Sequence, residues 1–288
     1  MAERLATLAV VTGWRNENAR LAVAELGAAA ERLGVDLIMP NDEATKHGDP
    51  EALGYRRVAD DGLRAADVCV VFGGDGTILR SLGALLGTTV PTLGVNYGHV
   101  GFLASLPHNG WFEGLEAMIA GAYRVVDLLT VDAWIDGVKH AAVNDVVLSR
   151  VEPRHVLHLE YEVSGVTVGR MLCDGLILST PTGSTAYNLS CDGPIVEWDA
   201  SVMLLNFIAP HSLGFRPVVL RPDHVIGVAN VSPQEECEIV ADGETVGRLH
   251  CGDRVRIAAG EQRARLMVRA EGSFYQNVEE KLFNREGR

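Results

Sequence analysis

Hydrophobic and polar positions fall into two textures along the chain. Leu5 to Val11 is a short apolar run, the pattern of a buried strand. In Asn16 to Leu33, Leu21, Ala24, Leu26, Ala28 and Leu33 are set among Glu and Arg, which predicts a helix ending near Gly34. Val35 to Met39 reads as a second strand closed by Pro40, and residues 41–50 are polar and loop-like. Asp67 to Phe72 is almost continuously apolar, as in a parallel strand covered on both faces. Thr77 to Leu86 then predicts a helix, and Val90 to Val95 another strand. Alternating β and α elements predict an open α/β sheet, whose ligands bind at the carboxyl ends of its strands.

From about Tyr123 the pattern becomes β-rich. Short runs recur at Val125–Ile135, Ala142–Leu148, Val156–Val163, Leu176–Ser179, Val202–Ile208, Val225–Val231, Glu238–Ala241, Arg254–Ala258 and Arg265–Arg269. Gly, Asp, Pro and Asn punctuate them. The expected fold class is therefore α/β plus all-β. An N-terminal open α/β domain covers residues 1–123, and a β-rich, sandwich-like domain covers 124–271. Phe274 to Asn284 is amphipathic and helical, and the segment 272–288 is expected to pack back on the first domain.

Composition narrows the classes. Hydrophobic residues make up 47% of 288, enough for a sizeable core, yet no apolar run reaches the roughly 18 residues of a membrane span. No signal-like stretch follows Met1 to Arg4, so a soluble cytoplasmic protein is expected. Five cysteines without a Cys-x-x-Cys pair argue against a disulfide framework or zinc site. A net charge of −13 argues against a general nucleic-acid binder, which needs a basic face. Any phosphate must then be held locally, by dipoles, arginines or metal. The only lysines are Lys46, Lys139 and Lys281, and none follows a glycine-rich turn, so there is no Walker-type loop.

The candidate chemistry lies in two motifs. Gly73-Gly74-Asp75-Gly76-Thr77 joins a buried strand to a helix. Its glycines permit positive φ and let a phosphate approach the backbone, and the helix presents its positive end there. Arg80, about one turn in, is placed to reach a phosphate oxygen. Asp75, an anion beside an anion site, either holds a metal or takes a proton from an attacking hydroxyl; as a plain turn, it would only cap the helix. The second motif, Ser179-Thr180-Pro181-Thr182-Gly183-Ser184-Thr185-Ala186-Tyr187, concentrates hydroxyls at a tight turn. It suits a polar ligand, or it is a loop of hydroxyl turns. Asn144-Asp145 could bind the cis hydroxyls of a ribose or simply form a turn before a strand. In the loop Gly94 to Leu103, Phe102 either stacks on a base or joins the core, and His99 is a loop residue. No Gly-x-Ser-x-Gly elbow is present, which argues against a serine hydrolase.

Taken in order, residues 73–77, 144–145 and 180–187 resemble the motifs of the NAD kinase family. The runs at 94–103 and 210–217 are similar to further family stretches, and the resemblance spans about residues 67–245. Lipid kinases and phosphofructokinases share the first motif; the 180–187 stretch narrows the choice. The resemblance implies NAD bound between the domains, ATP or polyphosphate as donor, Mg²⁺, and a homodimer or homotetramer. It implies that Asp75 takes the proton of the adenosine ribose 2′-hydroxyl and that Gly76 and Arg80 line the phosphate region. It places ribose or adenine on Asn144 and Asp145. Asp174 and the segment Thr185, Ala186, Tyr187, Asn188, Leu189 and Ser190 would take the remaining NAD groups, with Glu244 and His155 as further polar contacts.

One departure stands out. Where the family reads Ser-Ala-Gly-Gly-Pro, this chain has Ser190-Cys191-Asp192-Gly193-Pro194, which adds a charge and a Cβ to a tight turn. Two rival readings follow from the same residues. A lipid kinase would need a basic amphipathic membrane-docking helix, which the sequence lacks. A nucleotide sensor that has lost turnover would fit Asp192, but not the intact Asp75, Arg80 and Asn144.

Overall fold

The structure, a computed structural model, describes residues 4–13, 17–98, 101–152, 154–212, 214–272 and 274–283. His99, Leu213 and the end of the C-terminal segment from residue 284 lie outside them. The chain divides into two units, Met1–Asp127 with Ala264–Arg288, and Leu128–Arg263.

The first unit opens with β1 (Thr7–Thr12), α1 (Glu17–Leu33), β2 (Asp36–Pro40), the short α2 (Asn41–Ala44) and β3 (Tyr55–Val58). It continues with β4 (Val68–Gly73), α3 (Asp75–Ala84), β5 (Thr92–Asn96), β6 (Ala104–Leu106), α4 (Trp111–Ile119) and β7 (Tyr123–Leu128). The second unit contains β8 (Val131–Ile135), β9 (Val138–Ala142), β10 (Asp145–Arg150), β11 (Leu157–Val163), β12 (Val166–Cys173) and β13 (Gly175–Ser179). After the one-turn α5 (Tyr187–Ser190) come β14 (Met203–Ile208), β15 (Val218–Leu220), β16 (Val225–Asn230), β17 (Cys237–Ala241), β18 (Glu244–Leu249) and β19 (Arg254–Ala259). The chain then returns to the first unit as β20 (Ala264–Arg269) and α6 (Phe274–Val278), followed by a wide helical turn, Glu279–Phe283.

The first sheet runs β3-β2-β1-β4-β5-β20-β7, with β6 beside β5. β4 is buried at all six positions, the burial its continuous apolar run predicts. Its Val70 and Phe72 pack with Leu26 of α1 and with Leu115 and Met118 of α4 in one core. Phe72 meets Trp111 edge to face at 5.0 Å between ring centroids. Strand order around β4 brings β1 and β5 to its two sides, so the β4–α3 turn lies between the carboxyl ends of both.

Two six-stranded antiparallel sheets, β15-β14-β13-β10-β17-β18 and β12-β11-β16-β19-β8-β9, form the second unit. Their inner faces share one core, from Val146, Leu176 and Ile239 of one sheet to Leu159, Val228 and Ile257 of the other.

Several elements differ from the sequence expectation. Val125–Ile135 is not one strand: β7 ends at Leu128 in the first sheet and β8 starts at Val131 in the second unit. Ala264–Arg269, read with the β-rich region, lies in the first sheet, where Leu266 pairs with Thr92 and Met267 joins the α/β core. Residues 41–44 form a helical turn rather than open loop.

Candidate functional site

In the first unit the chemistry gathers where β4 ends. Gly74 is extended, and α3 begins at Asp75. None of Gly73, Gly74 or Gly76 has a positive φ, contrary to the expectation from the motif. Their small size is used for close approach instead. A Cβ on Gly73 would sit 2.9 Å from Thr77 Cβ, and one on Gly98 would sit 2.9 Å from Gly74 Cα. A Cβ on Gly76 would meet nothing within 4 Å, so protein packing does not explain that glycine, whereas a ligand seated close to the backbone would.

Asp75 is held by the loop after β5. Its Oδ2 accepts the Phe102 amide at 2.5 Å and its Oδ1 the Leu103 amide at 3.1 Å. A Cβ on Gly101 would overlap the carboxylate, so the loop can close on Asp75 only with glycine there. The second glycine cluster of the sequence is thus the clamp of the first. Asp75 does not cap α3 with a side-chain bond; its partners come from another loop.

Beside α3 opens a cleft of about 590 Å³, lined in part by Thr12, Asp42, Lys46, Thr77, Arg80 and Ser81. Arg80 is exposed on it, one turn from Asp75. The segment read as a polar loop supplies its floor. Glu43 is 4% exposed and takes the Thr12 hydroxyl, Lys46 Nζ at 2.6 Å and His47 Nε2 at 3.1 Å. Burial pushes the Glu43 carboxyl up, but the bonds from His47, Lys46 and Thr12 outweigh it and hold the carboxyl below its ordinary value. No sequence signal short of the Glu43/His47 i,i+4 spacing marked this cluster.

In the second unit the centre is the Asn144–Asp145 pair. Asp242, at the β17–β18 hairpin turn, accepts the amides of Val143 and Asn144 at 2.7 Å each and that of Asp145 at 3.3 Å. From the other side the 179–183 turn is tied to the same segment. Thr180 donates its amide to Asn144 O at 2.8 Å and its hydroxyl to Val143 O at 2.6 Å. A Cβ on Gly183 would overlap the Asn144 carbonyl. Asn144 Oδ1 is left buried with no hydrogen-bond partner among the described residues, as is Thr182 Oγ1. Buried acceptors and hydroxyls without partners are rare in proteins and fit a ligand that supplies them. Asp145 is 6% exposed; burial, and secondarily the charge of Asp242, push its carboxyl up to about 7. Burial also raises Asp242, against the lowering by its three amide donors.

Most hydroxyls of the 179–190 stretch serve the fold. Ser184 bonds both the carbonyl and the amide of Val196, and Thr185 donates to Thr182 O. Asn188 is fully buried, donates to Pro194 O at 3.3 Å and accepts from Asn206 at 3.2 Å. Tyr187 is 44% exposed, and burial with the nearby charges of Cys191, Asp174 and Asp145 raises its phenol. Ala186 and Leu189 are half-buried and Ser190 is exposed.

Asp174 and His155 stand apart from Asn144. Asp145 pairs with Ser179 and Ser149 with Gly175, so Asp174 is at the opposite end of β10–β13, roughly 15 Å along the strands. There Asp174 Oδ2 meets Arg150 Nη2 at 2.9 Å, and His155 Nδ1 meets Glu235 at 2.5 Å. Glu244 is exposed at the start of β18, close enough to Asp242 to raise it. Sequence reading missed Asp242, whose only local mark is the Asp242-Gly243 hairpin turn.

Comparison with known proteins finds both parts of the chain in one family. Residues 28–123 match the ATP-NAD kinase N-terminal domain and residues 143–269 the ATP-NAD kinase C-terminal domain. An NAD kinase of Methanothermobacter thermautotrophicus is 34% identical over 267 residues, covering 92% of this chain and 94% of that protein. Among solved structures, an Archaeoglobus fulgidus NAD kinase in complex with ATP superposes with a TM-score of 0.73 at 27% identity, covering 94% of this chain and 96% of that one. Yeast NADH kinase complexed with NADH has the same fold, with a TM-score of 0.87 at 24% identity over 99% of this chain and 90% of that one.

Proposed function

The chain belongs to the ATP-NAD kinase family, and on that premise we propose that Asp75 is the base for phosphoryl transfer to the adenosine ribose 2′-hydroxyl of NAD. The observation that carries this reading is the clamp on Asp75. Two backbone amides fix both carboxylate oxygens at a helix N-terminus, beside a glycine that leaves the backbone open. A secondary hydroxyl is far less acidic than a carboxylic acid, so Asp75 accepts the proton late, as the new O–P bond forms, and orientation supplies much of the rate. Asn144 Oδ1 accepts from a ribose hydroxyl, and Asp145, once ionised, accepts from the next. Tyr187 lies open to the ligand, while Thr185 and Asn188 shape the turn through their own bonds.

The donor is ATP or polyphosphate. The cleft offers the exposed Arg80 to the donor's phosphates, while Lys46 on its wall is paired with Glu43. The ATP complex of the Archaeoglobus relative supports ATP. Among the described residues no three His, Cys, Asp or Glu side chains converge as a metal set. Mg²⁺, which commonly keeps its waters and binds through substrate phosphates, would be held chiefly by the donor and would neutralise phosphate charge.

The reading extends to a cytoplasmic homodimer or homotetramer. No described helix is long and apolar enough to cross a membrane, and exposed Val166 and Val168 on β12 with Val218 and Val219 on β15 offer apolar edges for copies to meet. The test is NADP⁺ formation from NAD⁺ and Mg²⁺, with ATP and polyphosphate in parallel and light scattering on the same sample. Product with either donor is expected. Protein that binds NAD and makes no NADP⁺ from either would overturn the proposal in favour of a sensor.

A further inference from the structure

The end of the chain brings to Asp75 a charge that the fold leaves unsatisfied. Lys281, on the turn after α6, is 8% exposed, and its Nζ has no hydrogen-bond partner among the described residues. The ammonium rests 4.4 Å from the centroid of the Phe102 ring. Phe102 is the residue whose amide holds Asp75 Oδ2, and its carbonyl accepts Asn277 Nδ2 of α6 at 3.2 Å. One loop residue is thus tied both to the base and to the segment that carries the lysine. Burial lowers the ammonium to about 8, against the raising charges of Asp75 and Glu280.

A cation–π contact does not replace the hydration that such a group gives up. Lysine is almost never fully buried unless paired. The missing partner is an anion from outside the protein, and Asp75 is where the reaction brings one. We propose that Lys281 is a phosphate-contacting residue, its ammonium taking oxygens of the donor's terminal phosphate as that group reaches the ribose hydroxyl beside Asp75. The proposal rests on the reading of Asp75 as the reacting centre. In the step, the bond from phosphorus to the donor's bridging oxygen breaks and the bond to the ribose oxygen forms. The hydroxyl proton passes to Asp75, and ADP or a shortened polyphosphate leaves. Lys281 stays an ammonium throughout and offsets the repulsion between Asp75 and the phosphate.

The test compares the full-length parent with K281M, K281Q and K281R. Tripolyphosphate binding is measured by calorimetry, alongside KM for donor and for NAD and the melting temperature. Losing one charge-assisted contact should weaken tripolyphosphate binding in K281M by about tenfold or more and raise the donor KM to match, with the NAD KM unmoved. K281R should retain most of the binding. K281M should melt no lower than the parent, because an unpaired buried charge has been replaced by an apolar chain of similar length. Should K281M fail to fold, K281Q carries the same expectation for binding. Unchanged tripolyphosphate affinity, with a lower melting temperature, would make Lys281 a prop for Phe102 and overturn the proposal. Asp75→Asn separates the two readings: it should lose turnover and keep Lys281-dependent tripolyphosphate binding.

Discussion

The two units treat their key carboxylates in opposite ways. Asp75 is half-buried, and two backbone amides point at its oxygens. Asp145 is almost wholly buried beside a second carboxyl, Asp242, and is pushed up to about 7. Donors from a glycine loop fix a carboxylate in place, whereas burial beside a like charge makes one sensitive to pH. The first arrangement suits a group that must be aimed at a proton. The second suits a group that a ligand's hydroxyls complete. Asp242 gives the second unit its own version of the clamp, since it accepts three amides so that its neighbours Asn144 and Asp145 need not.

The sharpest way to break this contrast is Asp75→Asn. The amide is nearly isosteric but cannot take a proton, and it turns an NH₂ toward one of the two backbone amides that the carboxylate accepts. NADP⁺ formation should fall on the order of 10²-fold or more, with a modestly lower melting temperature from the lost bond. A variant that keeps most of its rate would remove Asp75 as the base and leave it as a loop anchor.

Next in size is Asp242→Ala, which strips three backbone N–H groups of their acceptor. Unsatisfied donors at a partly buried turn should cost about 3 kcal/mol in chemical unfolding and weaken NAD binding, because the Asn144–Asp145 segment loses its anchor. If NAD affinity survives while stability drops, the 179–183 turn alone positions the pair.

The pH dependence of Asp145 is a smaller effect. Its folded pKa is raised to about 7 from the ordinary 3.8. The folded state therefore binds more protons than the unfolded chain between those values, and stability falls as pH rises from 3.8 to about 7. Below 3.8 the group is protonated in both states, and its contribution to stability is fully present. Ligand binding runs the other way, because the ionised form is the acceptor. NAD affinity should weaken about fivefold from pH 7 to pH 6, following the ionised fraction. Asp145→Asn should flatten both profiles. A parent whose NAD affinity is flat across this range would show that the neutral acid binds as well.

Much of the first centre was legible because its parts are local. Three glycines and an acid between an apolar strand and an amphipathic helix are all within five residues. What those glycines do was only partly legible: Gly73 makes room for Thr77, four residues on in the same motif, but the Gly98 that comes up against Gly74 is a neighbour only after β4 and β5 pair. Asp242 lies 97 to 99 residues from the amides it accepts, so only the β10–β17 register reveals it. The same holds for β20, whose Ala264–Arg269 run would suit either kind of sheet. The hairpins were signalled by Asp136-Gly137 and Asp242-Gly243, whose residues have φ of 50°, 80°, 48° and 86° as a two-residue turn requires. Their outer strands β9 and β18 still went unread, since each is largely exposed and lacks an apolar run.

Asp192 was marked at the sequence level as a departure, and its backbone gives the departure a physical meaning. α5 ends with the Gly193 amide bonded to Asn188 O at 2.9 Å and the Asp192 amide to Leu189 O at 3.2 Å. That nested pair is a Schellman closure, which places a left-handed residue at the position Asp192 occupies. Its φ is 58°, a region that costs a side chain roughly 1 kcal/mol or more, somewhat less for Asp, and costs glycine almost nothing. Gly193 cannot take over the role by accepting a side chain of its own, because a Cβ there would overlap Asn188. Asp192→Gly should therefore stabilise the second unit by about 0.5 kcal/mol, part of the relief being offset by the greater freedom of glycine in the unfolded chain. Thermal melting should rise by about 1–2 °C. Because Asp192 is exposed and its strain is local, NAD affinity should not move. A change in NAD affinity without a change in melting would mean that the added charge, rather than the added Cβ, is what the turn at 190–194 presents to the ligand.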